Sequence, residues 1–351
     1  MKGSFVMGMF RRKIGIDLGT SSVLVYVQGK GVVVREPSVV AVNQETGKLL
    51  AVGSEAEHML GRTPGTITAL RPLRDGVISD YDMTEQMLRA FLKKTRRFPL
   101  FKPRMLIGVP TGITEVEERS VIDAGIQAGA SRVYLIEEPV AAAIGAGLEI
   151  VRPEGRMIVD IGGGTTDIAV ISLGGVVVCE SVKVAGDAFD EAAVKYIRAK
   201  YNVLIGERTA EAMKREIGCV RARPYRAAME VRGRCAMTGL PRTLGVTSED
   251  MREAYEGVAV RIVEAIRSVL ERTPPELAAD IAGNGIVLTG GGSLVWGMAQ
   301  LIQEETGISS RVAEDAVSMV ALGIGESLEH LRGMKDGTIN LSRQKQLERR
   351  F

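Results

Sequence analysis

The chain has little with which to build a covalently stapled scaffold: its three cysteines, Cys179, Cys219 and Cys235, are odd in number and show no CxxC spacing. That argues against a disulfide framework or a zinc site and fits a reducing cytoplasm. An excess of one charge is also missing. A formal net charge of +2 gives no bulk attraction for nucleic acid, so no such partner is expected and surface binding falls to local clusters. No GxxxxGK[ST] loop, complete GxGxxG or HExxH occurs, which removes three common cofactor and metal sites. Long apolar runs are scarce as well. Ile281 to Gln303 carries no charge, but its six glycines and its Asn284, Thr289, Ser293, Gln300 and Gln303 read better as strand, loop and helix than as a membrane span. The apolar stretch Phe5 to Phe10 precedes Arg11, Arg12 and Lys13 instead of following a basic region, unlike a secretory signal. The remaining composition, 45% hydrophobic and 25% charged, is that of a globular protein long enough for two domains.

Two segments say nearly the same thing. Ile14 to Thr20 reads IGIDLGT and Ile158 to Asp167 reads IVDIGGGTTD. Each is an apolar strand ending in an aspartate, then glycines and hydroxyl residues, a pattern that suits two phosphate-binding hairpins. Gly19, Gly162, Gly163 and Gly164 let backbone N–H groups approach an anion, and Thr20, Ser21, Ser22, Thr165 and Thr166 add hydroxyl donors. A carboxylate beside a polyphosphate repels it unless a cation intervenes. Asp17 and Asp160 are therefore expected to hold Mg²⁺ through its waters. A third glycine loop, Gly290, Gly291, Gly292 and Ser293, again follows an apolar strand and points to close approach by a ligand or another backbone.

The order of elements is α/β. Strands are predicted at Val23 to Val27, Gly31 to Val34, Ser38 to Val42, Leu49 to Val52, Met105 to Val109 and Val133 to Ile136. A helix over Asp82 to Arg97 is expected to start at a box of Asp82 and Glu85, and a second is capped by Thr114 with Glu117. Pro139 suits the first turn of a helix through Ala146. The second half repeats the plan, with strands at Arg156 to Asp160, Asp167 to Leu173 and Val176 to Val182. Its helices are predicted at Asp187 to Lys200, Arg208 to Ile217, Ser248 to Arg272 and Leu294 to Glu305. Small residues at Ala141 to Ala143 and Gly145, and at Ala321, Gly323 and Gly325, would let two helices cross closely between the halves, as packing or as a hinge.

These motifs, with EEPVAAAIGAGLEI, IGERTAEAMKREIG, LTGGGSL, ERTPPEL and REPSVVAV in order, resemble those of bacterial actins of the MreB/Mbl type over essentially the whole chain. The resemblance implies the α/β actin/Hsp70/sugar-kinase fold, with two duplicated α/β domains around a nucleotide cleft. Domain I would comprise residues 1–146 with 321–351, and domain II residues 147–320, with small subdomains near 33–68 and 183–246. It implies Mg-ATP in the cleft and self-assembly into filaments, the family's partners being a second copy of the chain, the inner face of the cytoplasmic membrane and the cell-wall elongation machinery. On the resemblance alone, Glu211 and Lys214 flank the adenosine; an ordinary ion pair is the alternative. The first loop departs from the usual GTANT, and Asp167 stands where many members carry Glu.

For hydrolysis, Glu138, set by Pro139 at a helix start, is expected to orient water with help from Thr166. The alternative for Glu137 and Glu138 is simple complementation of a helix dipole. Phe98, Leu100 and Phe101 lie between Lys93, Lys94, Arg96, Arg97 and Lys102, Arg104, an apolar tip in a basic collar suited to an anionic bilayer; core packing is the rival. Phe5, Met7, Met9 and Phe10 offer a second anchor. A small-molecule kinase would need an acceptor pocket, and an Hsp70-like chaperone a substrate domain, neither of which is marked. A nucleotide-switched assembly protein with negligible hydrolysis is the remaining alternative.

Overall fold

The structure, a computed structural model, describes residues 13–95 and 102–333. The anchors expected at Phe5 to Phe10 and Phe98 to Phe101, and the basic tail from Lys335, lie outside the described residues.

Duplication is visible in strand order. In one sheet β1 (Lys13–Leu18), β2 (Ser22–Val27) and β3 (Gly31–Pro37) run antiparallel, while β9 (Arg104–Val109) and β10 (Arg132–Glu137) add in parallel beside β1. In the other, β11 (Arg156–Ile161), β12 (Thr166–Ser172) and β13 (Gly175–Val182) run antiparallel, and β17 (Ile286–Thr289) and β18 (Ser310–Val312) add in parallel beside β11. The orders β10-β9-β1-β2-β3 and β18-β17-β11-β12-β13 correspond strand for strand. A register shift recurs between the second and third strands of each, at Val25/Tyr26 and Val170/Ile171. Smaller sheets elaborate each half: β4 (Val40–Asn43), β5 (Leu49–Val52) and β6 (Ile67–Leu70) in one, β14 (Val203–Leu204), β15 (Ala228–Cys235) and β16 (Pro241–Thr247) in the other. A hairpin of β7 (Leu73–Arg74) and β8 (Val77–Ile78) turns at Asp75 and Gly76, both with positive φ, as an Asp-Gly turn requires.

Strand parity then sorts side chains into three cores. The helices are α1 (Ser54–Glu57), α2 (Tyr81–Thr95), α3 (Glu115–Gln127), α4 (Glu138–Gly145), α5 (Gly186–Tyr201), α6 (Glu207–Ile217), α7 (Ser248–Arg272), α8 (Pro275–Asn284), α9 (Met298–Thr306) and α10 (Met319–Ser327). Ile14, Ile16 and Leu18 join Met87 and Phe91 of α2 and Val121 of α3 in one outer core. Val159, Ile161, Ile168 and Val170 join Phe189, Met213 and Tyr255 in the other. The alternate residues, Leu106, Tyr134 and Ile136 of one sheet and Ile158, Ala169 and Ile171 of the other, share a central core with α4 and α10.

That central layer is thin because its helices meet through glycine. A Cβ on Gly145 would lie 2.0 Å from the Met319 carbonyl oxygen, and one on Gly323 would lie 1.8 Å from that of Ala141. The close crossing expected of these small residues is therefore present. α10 also lies on the first sheet, where a Cβ on Gly15 would meet Ile324 at 2.6 Å.

Other expectations need correction. Helix α2 begins at Tyr81, and the Asp80 carboxylate, not Asp82, accepts the early N–H, from Met83 at 3.0 Å. Residues 291–294 form a short 3-10 turn instead of opening a long helix, and α9 starts at Met298 after Gly297 takes φ 84°, where a Cβ would strike Arg221. The Thr114/Glu117 capping box and the span Ser248–Arg272 are as expected.

Gly323→Ala should destabilise the protein by about 3 kcal/mol, the upper end of overpacking, because the added methyl meets backbone that cannot rotate away. A thermal melt checks this; an unchanged melting temperature would show that the two helices separate readily.

Candidate functional site

The two aspartate motifs fold into the same turn. Gly19 N–H donates to the Ser22 carbonyl at 3.1 Å, and Gly162 N–H to the Thr165 carbonyl at 2.9 Å, each closing a hairpin two residues after its aspartate. Parity places both aspartates on the inner faces: Asp17 alternates with Ile16 and Leu18 of one outer core, and Asp160 with Val159 and Ile161 of the other. The hairpins also press together. A Cβ on Gly163 would lie 2.1 Å from Ser21 Oγ, and one on Gly164 would lie 2.6 Å from Thr20 Oγ1. Ser21 Oγ donates across to Asp187 Oδ1 at 3.3 Å.

Other segments hold this arrangement. Ser38 Oγ donates to the Gly19 carbonyl at 2.6 Å, and Arg71 Nη1 to that of Ser21 at 3.3 Å. Gly76 N–H donates to Thr20 Oγ1 at 2.9 Å, so the β7–β8 turn braces the first hairpin, while Thr165 lies against the same glycine. The second hairpin is braced by the start of α5, where Gly186 and Asp187 N–H groups donate to the Gly162 and Gly163 carbonyls at 3.1 and 2.8 Å. The third glycine loop closes behind it: Gly290 has φ 79°, and a Cβ there would lie 2.3 Å from the Ile161 carbonyl oxygen. Gly291 alone in that loop faces open space. Ser22 begins β2, and the Ser293 hydroxyl donates to the Gly290 carbonyl at 2.7 Å, fixing its own loop.

Carboxyl groups gather where the inner faces meet. Asp160 accepts from Thr289 Oγ1 at 2.6 Å, yet burial pushes its carboxyl up to about 7. Asp17 keeps a partial opening to solvent, but surrounding protein and then the Asp160 charge push it up to about 8. Glu138, first residue of α4 and buried, is raised well above the carboxylate range by desolvation and then by Asp167, Asp17 and Asp160. Among the described residues no group of three or more His, Cys, Asp or Glu side chains forms a metal cage. Two buried carboxylates that resist ionisation do fit a cation that keeps most of its waters, as Mg²⁺ does.

One expected placement changes, and the ion pair offered as the alternative for Glu211 and Lys214 is absent. Thr166 shares the outer face with Ile168 and Val170, is fully buried, and donates its hydroxyl to the Val184 carbonyl at 2.6 Å. It is turned away from Glu138, and Thr165 is the threonine that faces the first half. Glu211 and Lys214 do not pair with each other: Glu211 meets Arg215, whereas Lys214 Nζ reaches Asp190 Oδ2 at 2.6 Å and the Gly186 carbonyl at 2.9 Å. Lys214 thus secures the start of α5 beneath the second hairpin. Sequence reasoning missed the Asp75–Gly76 brace, whose Asp-Gly pair is a recognisable turn signal, and Thr111 and Asp187, which carry none.

Groups held above their ordinary range bind protons in the folded chain that the unfolded chain has released. Stability of the metal-free protein should therefore decline as pH rises from about 5 to about 8, and bound cation should reverse the trend. Asp17→Asn should flatten this decline and raise the metal-free melting temperature at the alkaline end by a few degrees. Melting curves across that range decide; an equally steep decline in the variant would mean that other groups carry it.

A model of the MreB/Mbl protein family matches residues 11–336. The chain is 53% identical over 325 residues to the cell shape-determining protein Mbl of Bacillus subtilis (strain 168), covering 92% of this chain and 97% of the relative. Its structure is similar to MreB 5 of Spiroplasma citri bound to AMPPNP, with a TM-score of 0.88 and 37% identity, covering 97% of this chain and 99% of that one. It is also similar to the MamK double helical filament, with a TM-score of 0.79 and 26% identity over 92% of this chain and 99% of that one. This chain belongs to the MreB/Mbl family and has the actin-like fold.

Proposed function

We propose that the chain is a bacterial actin that binds and slowly hydrolyses ATP and polymerises into double filaments on the inner face of the cytoplasmic membrane, where they organise lateral peptidoglycan synthesis and maintain rod shape. The observation that carries this reading is the pair of matching hairpins bringing Asp17 and Asp160 together between two duplicated sheets. The analogue-bound and filamentous relatives support nucleotide binding and self-assembly. Among the described residues no helix is long and apolar enough to cross a membrane.

Bound Mg-ATP would supply the transferable phosphoryl group and the positive charge that lets Asp17 and Asp160 ionise together. The chain's residues do the rest. Gly19 to Ser22 and Gly162 to Thr165 would line the phosphates from opposite sides. The Gly290–Ser293 loop would give the base and sugar a surface of backbone, with Glu211 and Lys214 on the neighbouring helix. Glu138 orients the attacking water, and Thr165, on the side facing the first half, takes the assisting place. The raised carboxyl of Glu138 suits a group that accepts a proton late and otherwise acts by position.

Incubation with Mg-ATP and anionic liposomes, imaged while phosphate release is followed, tests the reading. Glu138→Ala should lower phosphate release by roughly 10²-fold or more while filaments persist. Phosphorylation of a small molecule without filaments would overturn the assignment, and filaments with no phosphate release from the wild type would favour the purely assembling alternative.

Membrane contact is assigned to Phe98, Leu100 and Phe101 within their basic collar. Replacing all three by Ser should abolish co-sedimentation with anionic liposomes and leave nucleotide affinity unchanged. Sedimentation that survives would move the anchor to the N-terminal Phe5 to Phe10 segment.

A further inference from the structure

The two hairpins differ at one position that their shared turn does not explain. Opposite Asp17 on β2 stands Leu24; opposite Asp160 on β12 stands Asp167. Asp167 is fully buried, an expensive place for a carboxylate unless something accepts its hydrogen-bonding capacity. Its partner is on the other half of the molecule. Asp167 Oδ1 accepts from both the backbone N–H and the hydroxyl of Thr111, each at 3.2 Å, and both bonds are buried. Burial raises the Asp167 carboxyl, partly offset by the nearby Ser181, Thr111 and Thr165 groups, while its Oδ2 is buried with no hydrogen-bond partner.

Thr111 lies just beyond the end of β9, and that strand end backs the site. A Cβ on Gly108 would meet Glu138 Cγ at 3.4 Å, and one on Gly76 would meet Pro110 at 2.7 Å and Thr165 at 3.0 Å. The segment 108–111 therefore touches Glu138 and the turn that braces Thr20. Antiparallel register also places Asp160 and Asp167 side by side on one face. A displacement of the metal-side carboxylate is felt by the residue that grips the opposite half.

We propose that Asp167 is a positioning residue that ties the Thr111 segment of the first half to the second phosphate hairpin, so that closure of the two halves sets the placement of Glu138. The proposal rests on the ATPase reading for its effect on turnover, but the tie itself has a separate readout. The charge of Asp167 also bears directly on Glu138, and exchange at the Thr111 amide isolates the route through Thr111 and the end of β9.

Hydrogen exchange at the Thr111 amide, measured on the full chain with and without AMPPNP, reads the tie directly. Asp167→Val removes both acceptors at similar volume and should speed that exchange about tenfold or more, while Asp167→Asn, which retains an acceptor oxygen, should preserve protection. At saturating Mg-ATP, Asp167→Val and Thr111→Val should each lower phosphate release by roughly tenfold, as misplacement does, with AMPPNP affinity changed less than about threefold. Thr111→Ser should restore turnover, and the double variant should be no worse than Asp167→Val alone. Unchanged exchange in Asp167→Val, independent multiplication of the two losses, or an affinity loss as large as the turnover loss would each overturn the proposal. If the wild type releases no phosphate, hydrolysis fails as a reading while the exchange result still decides whether the tie exists.

Discussion

Where α4 crosses α10, backbone meets backbone, and the distance between the two sheets is set there. Side chains at Gly145 or Gly323 would force the helices apart by the thickness of a methyl group at each contact. Such a separation would not stay local, because the inner faces of both sheets pack on this one layer through Leu106, Ile136, Ile158 and Ala169. The aspartate hairpins stand at the ends of those same strands. Ser21 reaches Gly163 and Thr111 reaches Asp167 only because the sheets are held this close, so the geometry of the site is a consequence of the packing of the same helix that carries Glu138 at its start.

The same closeness concentrates negative charge. Asp17, Glu138, Asp160 and Asp167 all face one region, and burial raises each of them. A fold selected for stability alone would place apolar residues here, as it does at Leu24. The cluster is tolerable because two large apolar cores lie outside it, and because a cation and a polyphosphate bound between the halves would convert the liability into binding free energy. On the proposed reading, a ligand bound there would favour whichever arrangement holds the two halves closest.

Much of this was legible in the sequence. An apolar strand, an aspartate and a glycine turn identify each hairpin because every feature is local: strand propensity, the spacing of the carboxylate and the freedom of glycine. The Thr114/Glu117 box and the span of α7 were legible for the same reason. What local pattern cannot supply is facing. Thr165 and Thr166 are adjacent and chemically alike, and only the pairing of β12 with its neighbours decides that Thr166 enters the outer core. Helical spacing permits Lys214 to pair with Glu211; the half-buried Asp190 on another helix offers a better-shielded pair. Thr111 carries no signal because its importance comes entirely from a strand more than fifty residues on. The start of α9 was misplaced because Gly297 breaks the helix through a contact with Arg221 that sequence separation conceals.

Duplication explains how such a site can be both symmetric and directional. Two copies of one hairpin bring two carboxylates to one region, and symmetry alone would make the halves equivalent. Divergence occurs in what surrounds each copy. The first hairpin is braced from within its own half by Ser38, Arg71 and the Asp75–Gly76 turn, so it behaves as a fixed jaw. The second is braced by the start of α5 and carries the extra carboxylate that reaches across to Thr111. On the proposed reading, a change at bound phosphates would have an asymmetric outlet, through the second hairpin to the segment behind Glu138 and to α5. Replacing Leu24 by its duplicate's aspartate would not reproduce this, since buried Leu24 stands between Asp17 and Arg35 on the neighbouring strands, with no threonine opposite. The one difference between Leu24 and Asp167, with a hydroxyl-bearing loop to receive the carboxylate, gives the second hairpin a contact with the other half that the first hairpin lacks at that position.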